Sequence, residues 1–207
     1  MAYPTVSAPY GLEPLNRVDF MPYAGATRLM AIGSNVSTAI YHGDIVLLNA
    51  GFIQKSTVTT DATTAAANAT YGVFMGCQYV NTQGQLVQAQ YFPGNASATS
   101  ATAYVVDDSM AAFKVALTTN ASNAIANTTA AVVGVNLAVR QGTGSTTNGD
   151  SQVSAVAPAA NAGNAAALPL RVIAVVPETA INATAFTEVI VKLNNPQILR
   201  TTGNDFA

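Results

Sequence analysis

Asp107 and Asp108 are the one adjacent carboxylate pair in this chain. Two carboxyls can share a proton for acid–base work when both converge on one reacting atom. Neighbouring strand residues point to opposite faces, so the pair is expected instead to open a turn or cap a short helix. His42 is the single histidine, and Asp44 lies two residues on, among abundant serines and threonines. Those are the residue types of a nucleophilic triad, but no Gly-x-Ser-x-Gly elbow accompanies them. Gly142-Thr143-Gly144-Ser145 is Gly-rich yet lacks the Lys-Ser/Thr of a phosphate-binding loop, and a turn is expected there.

Metal chemistry has equally little to work with. One histidine and one cysteine rule out a conventional all-protein zinc site within one chain. Calcium needs about six or more oxygen ligands, and Asn148 with Asp150 is the nearest approach to such a set. Sequence reading therefore assigns no catalytic residue, no metal and no cofactor. Cys77, set in Val73-Phe74-Met75-Gly76-Cys77, is expected to be a buried thiol.

The shortage extends to every charged type. Eight basic and ten acidic side chains make the chain 9% charged, against about a quarter in an average globular domain. Lys55, Lys114 and Lys192 are far apart, which leaves no basic patch for nucleic acid. The apolar runs, such as 45–48 and 172–176, fall far short of the ~20 residues of a spanning helix, so no membrane is implied. Residues 1–9 lack a cationic region followed by an apolar core, and cytoplasmic synthesis without export is expected. The Asn-x-Ser/Thr sequons, Asn35-Val36-Ser37 and Asn182-Ala183-Thr184 among them, then reflect a composition rich in Asn, Thr and Ser.

The elements that would position these residues read as short strands. Pro4, Pro9, Pro14 and Pro22 prevent a helix and predict an extended N-terminal arm over 1–24. A β-rich domain is expected over 25–207, with a subdivision near 118–129. Apolar and β-branched runs between turn signals predict strands at 28–32, 45–48, 52–55, 71–79, 85–92, 103–106, 111–117, 131–140, 152–156, 170–176 and 186–193. The 71–79 and 85–92 pair forms a hairpin across Asn81-Thr82-Gln83-Gly84-Gln85, and imperfect alternation over 86–92 suggests a strand covered on both sides at one end. Ala/Thr/Asn-rich loops are expected at 56–70, 95–102, 118–129 and 141–151, with a helical turn at 63–68 or 161–167. The fold class is all-β, a barrel or sandwich of many short strands.

The order of segments resembles head structural proteins of tailed bacteriophages of the marine, cyanophage-like kind. It runs from Tyr10-Gly11-Leu12-Glu13-Pro14-Leu15-Asn16-Arg17-Val18 through Gly25-Ala26-Thr27-Arg28 and Tyr41-His42-Gly43-Asp44-Ile45-Val46. Gly72 to Tyr79, Gln90-Tyr91-Phe92-Pro93-Gly94 and Ala103 to Asp108 followed by Phe113-Lys114-Val115 continue it. Leu170-Arg171-Val172-Ile173, Val191 to Asn195 and Thr201-Thr202-Gly203 close it. The Ala/Asn/Thr-rich inserts at 56–70 and 118–129 match no part of that pattern.

The resemblance implies a non-catalytic capsid decoration or cement protein, made in the host cytoplasm and carried on the capsid exterior. Its partners would be the major capsid protein and its own copies, a trimer being the favoured closed ring. Tyr10, Arg17, Asp19, Arg28, Asp107 and Asp108 are the expected capsid or oligomer contacts, because sparse charges at a buried interface act as orienting contacts. The alternative is a tail- or surface-associated host-attachment protein, with Tyr3, Tyr10, Tyr23 and the Asn/Thr-rich loops binding glycans. A hydrolase built on His42 or Asp107-Asp108 is the third class and lacks positioned partners.

Overall fold

Alternating inward residues set up the second half of the chain. In Ala111–Thr118 (β8), Phe113, Val115 and Leu117 face one core while Lys114 faces away. Glu188–Leu193 (β12) repeats the device with Val189, Val191 and Leu193. The computed structural model describes residues 5–19, 21–56, 70–95, 98–119, 124–126, 130–157, 168–180, 185–194 and 196. Those residues are all-β apart from a 3-10 turn at Ala130–Val132 and a helical turn, α1, at Pro177–Ala180.

Five strands close a barrel. β8 pairs with β12, β12 with Leu170–Val175 (β11), and β11 with Asn136–Arg140 (β9). β9 then pairs with Ser154–Val156 (β10), and β10 returns to β8 in parallel. Closure removes the open edges that a flat sheet would expose. Glu13–Arg17 (β1) lies on the remaining edge of β8, with Pro14 opposite Phe113 just before a register shift, an edge position of the kind proline occupies in sheets.

The first half builds a second sheet. Its order is Arg28–Ala31 (β2), Ala98–Val106 (β7), Gly72–Asn81 (β5), Ile45–Asn49 (β3) and Phe52–Lys55 (β4), with Leu86–Ala89 (β6) also on β5. A parallel bridge from Ile32 to Ile53 draws the β2 and β4 ends together, so the sheet curls. Its core includes Ile40, Val46, Ile53, Phe74, Phe92 and Val105. Phe74 and Cys77 both enter that core although three residues apart, because a bulge between Phe74 and Gly76 inserts Met75.

The two cores share strands. Ile45, Val73 and Val106 face the barrel core, while their neighbours Val46, Phe74 and Val105 face the other. These are the strands covered on both sides; in the 86–92 run, where such cover was expected at one end, Leu86 is exposed, β6 stops at Ala89 and Phe92 beyond it is buried. The chain crosses from one sheet to the other in the turn at 107–110.

Other expectations shift by a few residues. Residues 98–102, read as loop because of their small side chains, extend β7, since ladder pairing with Gln78 to Asn81 needs backbone alone. The strand expected from 131 begins at Asn136, after the 3-10 turn. Residues 13–17 of the expected arm form a strand paired to the edge of β8. The expected helical turns at 63–68 and 161–167 and Tyr3 lie outside the described residues. No helix among the described residues is long and apolar enough to cross a membrane.

Candidate functional site

Five of the six charge and tyrosine positions singled out above meet at the crossover turn. Asp107 Oδ2 receives Arg28 Nε at 2.6 Å and the Tyr71 hydroxyl at 3.2 Å. Asp108 Oδ2 pairs with Arg17 Nη1 at 3.3 Å, and its Oδ1 accepts the Met110 N–H at 2.8 Å. Arg17 Nε also reaches Asp19 at 3.3 Å. The adjacent carboxylates therefore serve separate arginines, and Asp108 closes a turn, as its residue type predicts. Arg28 remains 55% exposed and Arg17 37%, so the cluster stands at the surface. Leu29, Met21 and Leu15, next to these residues in the chain, are exposed as well.

A second cluster was not anticipated as a unit. Asp44 is fully buried and its carboxylate receives Lys55 Nζ at 2.9 Å, the Tyr41 N–H at 2.9 Å and the Ser151 hydroxyl at 2.6 Å. Lys55 also donates to the Gly142 carbonyl at 3.2 Å and stands 5.6 Å over the Tyr41 ring centroid. Ser151 Oγ accepts the Val153 N–H at 2.9 Å, so its hydroxyl is engaged on both sides. Ser151 is 1% exposed, which keeps this serine out of reach of a substrate.

The node ties the curled sheet to the 141–153 segment of the barrel half. His42 contributes through its backbone: its N–H donates to Gly149 at 3.0 Å and its carbonyl accepts from Ser151 at 3.0 Å. The Gly-rich run has a packing role, because a Cβ at Gly142 would meet Gln152 and one at Gly144 would enter the Tyr41 ring. Asn148 Oδ1 accepts the Asp150 N–H at 3.2 Å, an ordinary Asx turn. Among the described residues no group of three or more His, Cys, Asp or Glu could hold a metal ion. The spacing signal for this node was Gly43-Asp44 beside a strand; its partners Lys55 and Ser151 are too distant in sequence to be legible.

Tyr10, the sixth expected contact, lies elsewhere. Its hydroxyl donates to Glu188, which also pairs with Lys114 Nζ at 3.2 Å, and Lys114 sits 5.5 Å over the Tyr10 ring centroid. Glu188 is 6% exposed and its N–H donates to Thr179 Oγ1 at 2.9 Å. Together with the Gly11 N–H to Val153 bond at 3.1 Å and fully buried Leu12, this docks the N-terminal segment on the chain's own barrel.

Burial, then the neighbouring Glu188 carboxylate, raises the Tyr10 phenol far above its ordinary value of 10.0. Burial likewise raises Tyr23, Tyr41, Tyr71 and Tyr79, with Asp108, Asp44, Asp107 and Tyr91 respectively adding to it. A raised folded-state value means the fold favours the neutral phenol, so this stabilisation is complete below pH 10 and is lost as pH rises above it. Alkaline titration is expected to leave these tyrosines neutral until the β-structure goes, with tyrosinate absorbance and circular dichroism changing together. Ionisation of Tyr10, Tyr23, Tyr41, Tyr71 and Tyr79 ahead of the loss of structure would contradict this.

Burial also pushes the Cys77 thiol up to about 12, the state of an unreactive core thiol. No family model, no curated protein and no solved structure matches this chain.

Proposed function

We propose that this protein is a non-catalytic capsid decoration protein of a tailed bacteriophage, which binds the outer shell and strengthens it by bridging major capsid subunits. It is made in the host cytoplasm and works as a closed homo-oligomer, with a trimer favoured. The observation that carries this reading is the crossover cluster, where Arg17, Asp19, Arg28, Asp107 and Asp108 pair at the surface, with Leu15, Met21 and Leu29 exposed close by in the chain. Exposed apolar side chains near paired charges suit a protein partner better than a small substrate. Elsewhere, Lys55 and Lys114 are paired with Asp44 and Glu188, which lowers the number of unpaired charges to be desolvated on assembly.

Deleting the N-terminal segment would remove buried Leu12 and β1 together, so surface substitutions are the cleaner test. Met21→Asp with Leu29→Asp is expected to lower occupancy on capsids stripped of this protein by more than about tenfold, with an unchanged melting temperature. Undiminished occupancy and undiminished capsid heat resistance would sink the reading. Labelling of tail tips instead of heads would favour host attachment.

A further inference from the structure

A cleft of about 310 Å³ opens between the 33–38 loop and β4, lined by Asn35, Val36, Ser37, Thr38, Gln54 and Lys55 among others. That volume falls at the lower end of the ~300–1,000 Å³ range of small-ligand sites. The loop is fixed in advance. Val36 N–H donates to Gly33 at 3.1 Å, Asn95 N–H to Val36 at 2.9 Å, and Asn95 Nδ2 to Ser34 at 2.9 Å. Gly94, at φ 99°, lies so close that a Cβ there would stand 2.5 Å from the Ser37 carbonyl oxygen. A prefixed loop loses little conformational freedom when a ligand arrives.

The chemistry of the walls selects the ligand class. Asn35 and Gln54 each offer amide donors and acceptors, and Ser37 and Thr38 offer hydroxyls. Lys55 brings no net charge, because its ammonium is held 2.9 Å from the buried Asp44 carboxylate. An anion would find no free cation in this lining. The floor, Val36, is 6% exposed and belongs to the sheet core.

At the Asn35 end stands an aromatic ring. A Cβ at Gly33 would lie 2.8 Å from Asn35 Oδ1 and 3.4 Å from Phe52 Cβ, so Gly33 fits between the two. Phe52 is 44% exposed and alternates onto the same face of β4 as Gln54. Neutral hydrogen-bonding groups beside an exposed ring match a molecule with many hydroxyls and one apolar C–H face. We infer that this cleft binds a neutral saccharide, with Asn35, Ser37, Thr38 and Gln54 bonding its hydroxyls and Phe52 stacking on a sugar ring.

Calorimetric titration of the full-length protein with neutral tetrasaccharides of glucose, galactose, mannose and N-acetylglucosamine, and with one sialylated glycan, tests this. Saturable binding of at least one neutral member is expected, insensitive to salt and weakened at least about tenfold by Phe52→Ala and by Gln54→Ala. Both variants should keep the parent melting temperature, since neither side chain is in the core. Absence of saturable binding across the panel, binding by the sialylated member alone, or indifference to both substitutions overturns the inference. Capsid occupancy of the same variants should match the parent, so failure here and failure of the decoration reading are separable.

Discussion

Asp44→Ala is expected to cost about 3–5 kcal/mol of unfolding free energy, the range for removing one partner of a buried ion pair. The substitution strands Lys55, which is 13% exposed, and takes the acceptor from the Tyr41 N–H and the Ser151 hydroxyl. A domain of ordinary stability holds only about 5–15 kcal/mol, so the variant should unfold at much lower urea concentration. Ser151→Ala leaves the ion pair in place and should cost less, about 1–3 kcal/mol. The double variant Asp44→Leu with Lys55→Met removes both charges and should recover most of the loss. A loss below about 1 kcal/mol in Asp44→Ala would mean that the node does not hold the two sheets together.

Gly43→Ala is the second large effect. Gly43 has φ 85°, where a side chain is strained, and a Cβ there would stand 2.9 Å from Leu12 N and 3.0 Å from Gly11 Cα. Leu12 N–H donates to the Gly43 carbonyl at 3.0 Å, so the two backbones cross in direct contact. Left-handed strain of about 1–2 kcal/mol and overpacking of about 1–3 kcal/mol add to between about 2 and 5 kcal/mol. Gly51→Ala makes the control: it shares the positive φ, at 84°, but its Cβ would meet nothing within 4 Å. Denaturation curves in which Gly43→Ala and Gly51→Ala lose equal stability would refute the crossing as the cause.

Strand positions were legible where apolar alternation was strong. Phe113-Lys114-Val115-Ala116-Leu117 and Val189-Ile190-Val191 send every second residue to the barrel core. Legibility failed where backbone pairing decides alone, as in Ala98 to Thr102, whose small side chains carry no period. It failed again at Glu13–Arg17, where proline suggested a free arm while a register shift lets Pro14 join a sheet edge. Charges near in fold but far in chain were partly legible. Arg17, Asp19, Arg28, Asp107 and Asp108 stand out as conspicuous charges in a sparsely charged chain, and the fold gathers them at one turn. Asp44 with Ser151 escaped because their contact spans the two halves, as did Tyr10 with Glu188.

The strands common to both cores set how force travels through the molecule. Along β3, β5 and β7, adjacent residues such as Val73 and Phe74 are rooted in opposite interiors. No plane of weakness separates the described halves, because slipping any of these three strands by one residue would turn both sets of side chains out of place. A tug delivered at the crossover turn is therefore shared by two interiors at once, and the chain yields as one body or not at all.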